Sequence, residues 1–421
     1  MTVKTLTATA YPATKMQTAD VVSAEGALCV GCEVADGKII PALCACDITA
    51  NAFTDVKTAG YSAAAGAYFV CADKKAYYSA DGLAFYELAE LEGDEPFIFE
   101  QRENGIAKLY AAGEGTCVCF GSGSGASNTF DCGIFGGQFK SGRIFGIDIT
   151  DNFKLRWSGE GGAFDWEESI DGAGWLKLDG AGGRILNLLC YGEKLVAVRE
   201  NCLSVISAFG TPENFKAENK NLYITGVCKN TAAVSGNKLL FFAVNGAYSG
   251  LYSYNGAKIT RVNCPLAEDI VSPVCAVADG DLYFLSGYVN PLERRAVLVY
   301  NANSGFAYFA DFPASALTAG KGGVYAYADG TACKLERGGK FLYKSGEINF
   351  GSAEAKYLHT VKIGCDVGAD IEVGNGSAVR AFKDVKNALR ADMRGVNFNF
   401  TVKSRAKITA LQAVAEVANG I

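Results

Sequence analysis

The sequence is poor in the residues that most often build catalytic and metal centres. Its 421 residues include one histidine and three methionines, and charged residues make up only 20%. The single histidine, His359, cannot form a multi-histidine metal site, and a Ser–His–Asp triad would have to pass through it. It sits in an alternating strand pattern, without a nucleophile elbow anywhere in the chain. We therefore predict no catalytic residue, no metal ligand and no cofactor.

Long apolar runs and basic clusters are also missing. No stretch of eighteen apolar residues occurs, and residues 1–17 lack the continuous apolar core of a signal peptide. These absences predict neither a membrane span nor export. The formal net charge is −6, and no group of lysines and arginines stands out. Specific nucleic-acid binding is therefore not expected.

Proline is rare, whereas glycine and aromatic residues are abundant. The chain has 8 prolines, 50 glycines, 20 tyrosines and 25 phenylalanines. Many glycines and aromatics among short apolar runs are typical of short strands joined by tight turns. The composition therefore favours an all-β fold.

The 15 cysteines are predicted to be free thiols. Pairs such as Cys44 and Cys46 have strand spacing that places both side chains on one face, where a thiol packs as a small apolar group. Such usage fits synthesis in a reducing cytoplasm. One Cys-x-x-Cys pair, Cys29 and Cys32, has no second pair and no nearby histidine. A zinc site is therefore not favoured there.

Short strand cores recur at a regular spacing from about residue 61. Each core is an apolar run, and most units continue with a polar turn and an aromatic strand. The successive cores are 67–70, 108–111, 143–146, 194–197, 238–241, 281–284 and 323–326. An all-strand period of 40–50 residues with four strands per unit is the signature of a β-propeller. We expect six or seven blades, with a β-sandwich as the alternative.

The repeat ends near residue 345, which sets the predicted domain boundaries. Residues 61–345 are predicted to form the propeller, and residues 346–421 a small β-sandwich-like module. Within that module, the spacing of Val379, Phe382, Val385 and Leu389 predicts a short helix. Residues 1–60 are predicted to be an arm with a hairpin turning at Ala35–Lys38. A strand in this arm is the candidate for closing the propeller ring.

The largest local block of aromatic burial is predicted between Gly142 and Leu178. All three tryptophans, Trp157, Trp166 and Trp175, lie in this stretch. Trp157 belongs to an alternating run of apolar residues, so its ring is expected in a core. The three tryptophans are therefore assigned to one blade and its exit loop.

Two turns resemble the Asp-box of sialidase-like propellers. Tyr78–Phe85 is a degenerate match, with Ser79 and Asp81 at the spacing of the S-x-D-x-G turn and the glycine one position early at Gly82, and the stretch from Trp157 to Trp166 is a looser version. In that family the turn is structural, because the carboxylate holds backbone N–H groups and the aromatic residue fills the blade. The resemblance therefore implies a propeller rather than an active site.

Two further segments suggest ligands only weakly. Asp165, Glu167, Glu168 and Asp171 form the densest acidic patch, but their spacing fits a calcium loop only in part, and a solvated loop is favoured. The segment Gly121–Ser127 would cradle a phosphate only if a helix followed it. No helical pattern does, so a flexible loop between blades is predicted.

The order of strands and aromatic residues from residue 140 onward resembles structural propellers of tailed phages. It is carried by Arg143–Phe145, Leu155–Ser158 and Phe164–Trp166. The later stretches Gly236–Phe242 and Arg394–Phe400 extend it. These segments look like tail hub and nozzle proteins of short-tailed phages and related prophage proteins. The first sixty residues do not match that pattern.

The resemblance implies a non-enzymatic virion protein, assembled in the host cytoplasm as a homo-oligomeric ring with other tail or portal proteins. A carbohydrate-binding or sialidase-like propeller is the alternative. A sialidase would need several arginines that converge on a substrate carboxylate, together with a Tyr/Glu pair. A WD-repeat scaffold is a third reading, but the expected Gly-His and Trp-Asp pairs are absent.

Overall fold

Six antiparallel sheets of four strands, and a seventh group of four antiparallel strands that is part of a larger sheet, occur in a computed structural model of the chain. The structure describes residues 14–22, 28–103, 106–113, 116–121, 124–129, 133–161, 165–168, 172–208, 210–221 and 225–418. Two compact units are present. We call Cys44–Glu336 the propeller unit, and Met1–Leu43 with Arg337–Ile421 the terminal unit.

The chain begins with strands of the terminal unit. These are β1 (Thr14–Asp20), β2 (Leu28–Val30), β3 (Cys32–Ala35) and β4 (Lys38–Pro41). The predicted hairpin is present, because β3 pairs with β4 across a two-residue turn at Asp36 and Gly37. Both turn residues have positive φ, at 51° and 68°, as a type I′ turn requires.

The seven blades of the propeller unit use consecutive strands, except that the last blade ends on β5. The strands are β5 (Leu43–Ala50), β6 (Val56–Ser62), β7 (Ala67–Ala72), β8 (Lys75–Ser79), β9 (Tyr86–Glu90), β10 (Phe97–Glu103), β11 (Ile106–Ala112), β12 (Thr116–Gly121), β13 (Ser124–Thr129), β14 (Ile134–Lys140), β15 (Arg143–Asp148), β16 (Lys154–Trp157), β17 (Gly174–Lys177), β18 (Ile185–Tyr191), β19 (Lys194–Arg199), β20 (Cys202–Ser207), β21 (Lys216–Asn221), β22 (Ala233–Ser235), β23 (Lys238–Ala243), β24 (Gly250–Tyr254), β25 (Ile259–Arg261), β26 (Ile270–Asp279), β27 (Leu282–Val289), β28 (Arg294–Asn301), β29 (Ala307–Ala310), β30 (Ala316–Gly320), β31 (Gly323–Ala328) and β32 (Thr331–Arg337). Blades one to six are β6–β9, β10–β13, β14–β17, β18–β21, β22–β25 and β26–β29, and blade seven is β30, β31, β32 and β5.

The seven predicted strand cores are the second strands of the seven blades, which confirms the β-propeller. In β7, β15 and β27 nearly every side chain is buried, because the second strand lies between two strands and between two neighbouring blades. A strand that is buried on both faces has an unbroken run of apolar residues. The recurrence of this run, once in each blade, is the repeat found in the sequence. The glycines before these cores adopt positive φ in the turn that leads from the first strand into the second, for example Gly66 at 64° and Gly142 at 76°.

An N-terminal strand completes the last blade. β5 is the outermost strand of blade seven, after β30, β31 and β32. The pairing continues beyond β5, where Asn51 N–H donates to Gly330 O at 2.8 Å and Gly330 N–H donates to Phe53 O at 2.7 Å. The first strand of blade one, β6, packs beside the first strand of blade seven, β30. The two ends of the propeller sequence therefore meet, and the ring of blades is closed.

The terminal unit is a β-sandwich built from both ends of the chain. Its later strands are β33 (Phe341–Lys344), β34 (Lys356–Cys365), β35 (Ala369–Gly374), β36 (Val379–Val385), β37 (Ala388–Gly395), β38 (Asn399–Ser404) and β39 (Ile408–Ala418). One sheet contains β1, β3, β4, β39, β34 and β37, and the other contains β2, β33, β38, β35 and β36. Leu358, Val361, Phe400, Val402 and Leu411 are fully buried between them.

The domain boundaries differ from the predicted ones at 60 and 345. Residues 44–60 belong to the propeller unit, and residues 1–43 join the C-terminal segment in the terminal unit. The reason is strand pairing over long sequence distances: β1 pairs with β39 over seven residues, and β2 pairs with β33. Such pairing leaves no local mark in the sequence.

The predicted helix near residue 380 is wrong, because β36 and β37 cover this stretch. A β-bulge explains the misleading three-residue spacing. Between Ala369 and Ile371, the partner strand advances from Val385 to Phe382, one residue more than regular pairing allows. The extra residue places Phe382 and Val385 on the same side of the strand, as a helix would.

Helical segments are short. The described residues form one α-helical turn, α1 (Pro265–Glu268), and 3-10 turns at Gly180–Gly182, Pro212–Asn214, Gly246–Tyr248 and Asn290–Leu292. Among the described residues, no helix has both the length and the apolar character needed to cross a membrane.

The fourteen cysteines within the described residues are all free thiols, as predicted, and Cys132 lies outside them. Cys44 and Cys46 lie on one face of β5, with 3.8 Å between their sulfur atoms. Burial raises the pKa of Cys71 and Cys275 to about 12. A thiol with so high a pKa is a poor nucleophile, so these side chains act as core groups.

Candidate interaction face

A cavity opens where the first strands of several blades begin. Its volume is about 790 Å³. One wall of the cavity is apolar and consists of the first residues of β14 and β18, namely Ile134, Phe135, Ile185 and Leu186. The linkers between blades supply a polar rim. We call this side of the propeller unit, where each first strand begins and each second strand ends, the mouth face.

Close approaches of the backbone shape the rim. A Cβ atom at Gly113 would collide with the carbonyl oxygen of Glu92, and one at Gly226 would collide with that of Val244. Gly226 also has φ +89°, a conformation that L side chains rarely adopt. Only glycine therefore fits at positions 113 and 226, where two separate close approaches of the backbone lie at the edge of the cavity.

Two ion pairs hold the charged groups of the rim. Lys229 Nζ lies 2.7 Å from Glu95 Oε2 and 5.2 Å from the centre of the Phe135 ring. Arg184 Nη2 lies 2.6 Å from Glu200 Oε1, and the Arg184 backbone N–H donates to the other carboxylate oxygen at 3.0 Å. Partial burial by itself raises the pKa of Glu200, but the hydrogen bonds from Arg184 outweigh it, so the pKa lies below its usual range. Each carboxylate is thus paired with a cation.

A buried arginine fixes the loop that carries Arg184. The Arg199 side chain is fully buried, and its Nε–H donates to Gly183 O at 2.9 Å. Its Nη1 also lies 3.7 Å from Asp179 Oδ1. A buried guanidinium requires such partners, so Arg199 serves to position the rim and does not itself face the cavity.

A second cavity of about 570 Å³ occupies the central channel; its lining comes from the first strands of six blades and, at blade five, from residues 229–232 just before β22. It shares Glu95, Phe135, Leu186 and Lys229 with the cavity at the mouth. The two cavities therefore form one depression that begins at the mouth face and continues along the axis of the propeller.

Exposed apolar side chains are concentrated on the mouth face. Within the described part of the propeller unit, five of eight exposed large apolar residues lie there, and the other three lie on outermost strands. The five are Ile149, Val244, Tyr248, Val271 and Tyr288. Tyr248 is 62% exposed and Tyr288 is 40% exposed. Exposed aromatic and aliphatic groups gathered on one face are typical of a protein interaction surface.

The Asp-box-like turn is structural, as its resemblance implied. Asp81 Oδ1 accepts hydrogen bonds from the backbone N–H groups of Leu83 at 2.9 Å and Ala84 at 3.0 Å. The ring of Phe85 packs edge-on against Phe53 and Tyr327. In addition, Asn51 Oδ1 accepts from Phe85 N–H at 3.0 Å, and its amide donates to Leu83 O at 2.9 Å. The turn thus fastens blade one to the residues that follow the closing strand β5.

The Asp81→Asn variant is expected to lose about 1 kcal/mol of unfolding free energy at neutral pH, because it weakens hydrogen bonds to a charged acceptor. Partial burial raises the pKa of Asp81, but hydrogen bonds from Leu83, Ala84 and Ser79 outweigh it and leave the pKa below its usual value. The carboxylate therefore stabilises the fold above its unfolded pKa, and this contribution disappears as pH falls through the folded pKa.

Urea unfolding at a series of pH values checks this expectation. The difference between wild type and Asp81→Asn should shrink as the pH falls below about 4, the ordinary pKa of an aspartate. Asp94→Asn is the matched control, since its side chain is 84% exposed. A constant difference at all pH values would contradict the role given to the carboxylate.

Other residues that the sequence singled out are not brought together. His359 lies in β34 and contacts Glu416 at 3.1 Å, with the Tyr357 ring beside it. Cys29 and Cys32 are both buried, and the hydrogen bond between their thiols, together with burial, raises the pKa of Cys32. Among the described residues, no three His, Cys, Asp or Glu side chains are arranged to hold a metal ion.

The acidic patch and the Gly/Ser segment have local roles where the structure describes them. Glu168 accepts a hydrogen bond from Trp175 Nε1 at 2.6 Å, and Asp171 lies outside the described residues. The prediction of a loop between blades at 121–127 is wrong. Gly121 ends β12 and Ser124 begins β13, so the segment is a hairpin within blade two.

Sequence reasoning missed the residues of the mouth face. Glu95 and Lys229 are 134 positions apart, and no local pattern links them. The apolar pairs Ile134–Phe135 and Ile185–Leu186, each directly after a polar or glycine-rich segment, were the available signal. They mark the beginning of a first strand and thereby the wall of the cavity.

Comparisons with known proteins concern the fold alone. No protein family and no curated protein matches the chain. Among solved structures, the chain is similar to YCF48 bound to D1 peptide, with 10% identity, a TM-score of 0.46 and coverage of 70% of this chain and 97% of that one. It is also similar to the extracellular domain of BT4673 from B. thetaiotaomicron, with 10% identity, a TM-score of 0.46 and coverage of 83% of this chain. The chain spans about half of that domain, 47% of its length.

Proposed function

We propose that this chain is a non-enzymatic structural protein of a phage tail, assembled as a homo-oligomeric ring whose mouth face contacts other tail proteins. The observation that carries the proposal is the concentration of exposed apolar side chains on that face. Tyr248, Val271 and Tyr288 are large groups that a subunit interface would bury. The resemblance of residues 140–421 to tail hub and nozzle proteins agrees with this role.

The electrostatics of the mouth also favour binding over catalysis. General acid–base chemistry needs a titratable group that is held near its working pKa and reaches the substrate. At the cavity, Glu95 and Glu200 are instead each paired with a cation, and the pKa of Glu200 is lowered. Such closed pairs are suited to fixing the shape of a surface.

Electron microscopy and sedimentation of the purified full chain test this proposal. We expect ring-shaped oligomers, or the protein in tail particles released from a host that carries the prophage. Tyr288→Ser combined with Val271→Ser should reduce incorporation of the protein into tail particles, whereas Tyr86→Ser, on the outermost strand of blade one, should not. A protein that is monomeric at all concentrations and absent from particles would exclude the proposal.

A carbohydrate-binding propeller is the second candidate, and the cavity of about 790 Å³ favours it. Its apolar wall and hydrogen-bonding rim are the ingredients of a small-ligand site. A glycan array with wild type and Arg184→Ala separates the two functions, since specific binding lost in the variant would favour the sugar. Arg184 is the one arginine among the described residues that line the cavity, fewer than a sialidase site requires.

A further inference from the structure

Charge divides the mouth face into two sectors. In blades three to six, four cations at this face each lie within 3 Å of a carboxylate, in the pairs Lys177–Asp151, Arg184–Glu200, Arg261–Glu268 and Arg294–Asp311. The exposed apolar residues named above all belong to blades three to six. A partner that covers this sector therefore meets apolar side chains beside these four ion pairs.

A second part of the mouth face is strongly acidic. It comprises blade seven, blade one and the linker from blade one to blade two, and we call it the acidic sector. Its carboxylates are Asp55, Asp73, Glu90, Glu92, Asp94, Glu95 and Asp329, and its cations are Lys57, Lys74, Lys75 and the Lys229 that reaches Glu95. Seven negative and four positive charges leave −3 on this sector, half of the formal net charge of −6 of the chain.

The excess charge is accessible. Six of the seven carboxylate residues are exposed and Asp73 is half-buried. The side chains of Asp94 and Asp55 are 84% and 66% exposed, although each has a lysine nearby. Exposed pairs of this kind contribute little to stability, so the carboxylates can take new cationic partners at small cost.

We propose that the mouth face docks a polypeptide segment of a partner protein in which lysine or arginine side chains stand beside apolar ones. The apolar anchors pack on Val271 and Tyr288, and the cationic side chains reach the acidic sector across the channel mouth. This partner fits by charge complementarity, since nucleic acids and anionic membranes are repelled by the same sector. The inference rests on the proposed function, because it names the chemistry of the contact through which the chain would assemble.

Binding of two labelled peptides to the full chain tests the inference. One peptide contains leucine and lysine, and the other has glutamate in place of every lysine. Fluorescence anisotropy should show binding of the lysine peptide at least about tenfold tighter than that of the glutamate peptide. The affinity for the lysine peptide should fall as salt is added, because salt screens exposed charges.

Variants then locate the contact. Glu90→Lys with Asp94→Lys should weaken binding of the lysine peptide at least about tenfold, and so should Val271→Ser with Tyr288→Ser. The controls are Glu193→Lys, a fully exposed residue in the turn between β18 and β19 on the opposite side, and Tyr86→Ser. Melting temperatures of all variants show that they remain folded.

Several outcomes would overturn the inference: equal binding of both peptides, control variants that weaken binding as much as mouth variants, or self-association of the chain that excludes the peptide. The first two outcomes are read from peptide binding, and the third from sedimentation of the chain with and without the peptide. The tail proposal is tested separately, by electron microscopy of particles and by sedimentation of oligomers. If the chain binds the lysine peptide but forms no oligomers and is absent from tail particles, the tail proposal is refuted and this inference stands.

Discussion

The fragment 44–336 is expected to be soluble and to unfold in one cooperative transition, whereas the fragment 51–336 is expected to aggregate. The two differ only in the strand β5, which supplies the fourth strand of blade seven. Its removal loses several backbone hydrogen bonds, worth roughly 0.5–1.5 kcal/mol each. It also exposes the edge of β32, so the expected loss approaches the total stability of about 5–15 kcal/mol of an ordinary domain.

The two fragments, 44–336 and 51–336, are compared by thermal unfolding followed by circular dichroism. Sedimentation measures their solubility. The fragment 1–345, cut at the boundary predicted from sequence, is the informative control. It keeps β5, but it removes β34–β39 from β1–β4 and β33, and thereby uncovers apolar side chains such as Ile39 and Tyr343. We expect it to be less soluble than 44–336. A stable 51–336 fragment would show that β5 is dispensable for closing the ring.

Trp157→Ala is expected to lower the free energy of unfolding by about 3–5 kcal/mol, the usual range for removing a buried tryptophan. The Trp157 ring is 5% exposed, and the centre of the Phe215 ring lies 5.0 Å from it in an edge-on contact. Its Nε1–H donates to Gly172 O at 3.0 Å, so the substitution also leaves a carbonyl without this donor. Burial of Trp157 confirms the expectation from the alternating run in β16.

Trp175→Ala is the matched control for chemical denaturation. Trp175 lies on the neighbouring strand β17, 45% exposed, with Lys154 Nζ 4.5 Å from the ring centre. Loss of this exposed contact should cost under about 1 kcal/mol. If Trp157→Ala costs no more than Trp175→Ala, the contact between the Trp157 and Phe215 rings does not stabilise the fold.

Local sequence was sufficient to identify the repeat and to interpret it as a β-propeller. The second strand of each blade is buried on both faces, and its apolar run is visible at 67–70 or 238–241 without any tertiary information. The turn at Asp36 and Gly37 and the Asp-box-like turn at Asp81 were predicted for a similar reason. Each depends on the conformation or hydrogen bonding of residues that are close together in the chain.

Tertiary structure alone decided the ring closure, the domain boundaries and the mouth face. The place of β5 beside β32 and of β1 beside β39 depends on partners that are hundreds of residues away. The bulge in β36 gave a strand the spacing of a helix. Glu95 and Lys229 became neighbours only when the linkers of two distant blades met at one end of the channel. Charged and apolar residues in loops follow no periodic pattern in the sequence. Their concentration on one face therefore results from the closure of the ring and cannot be predicted from any single segment.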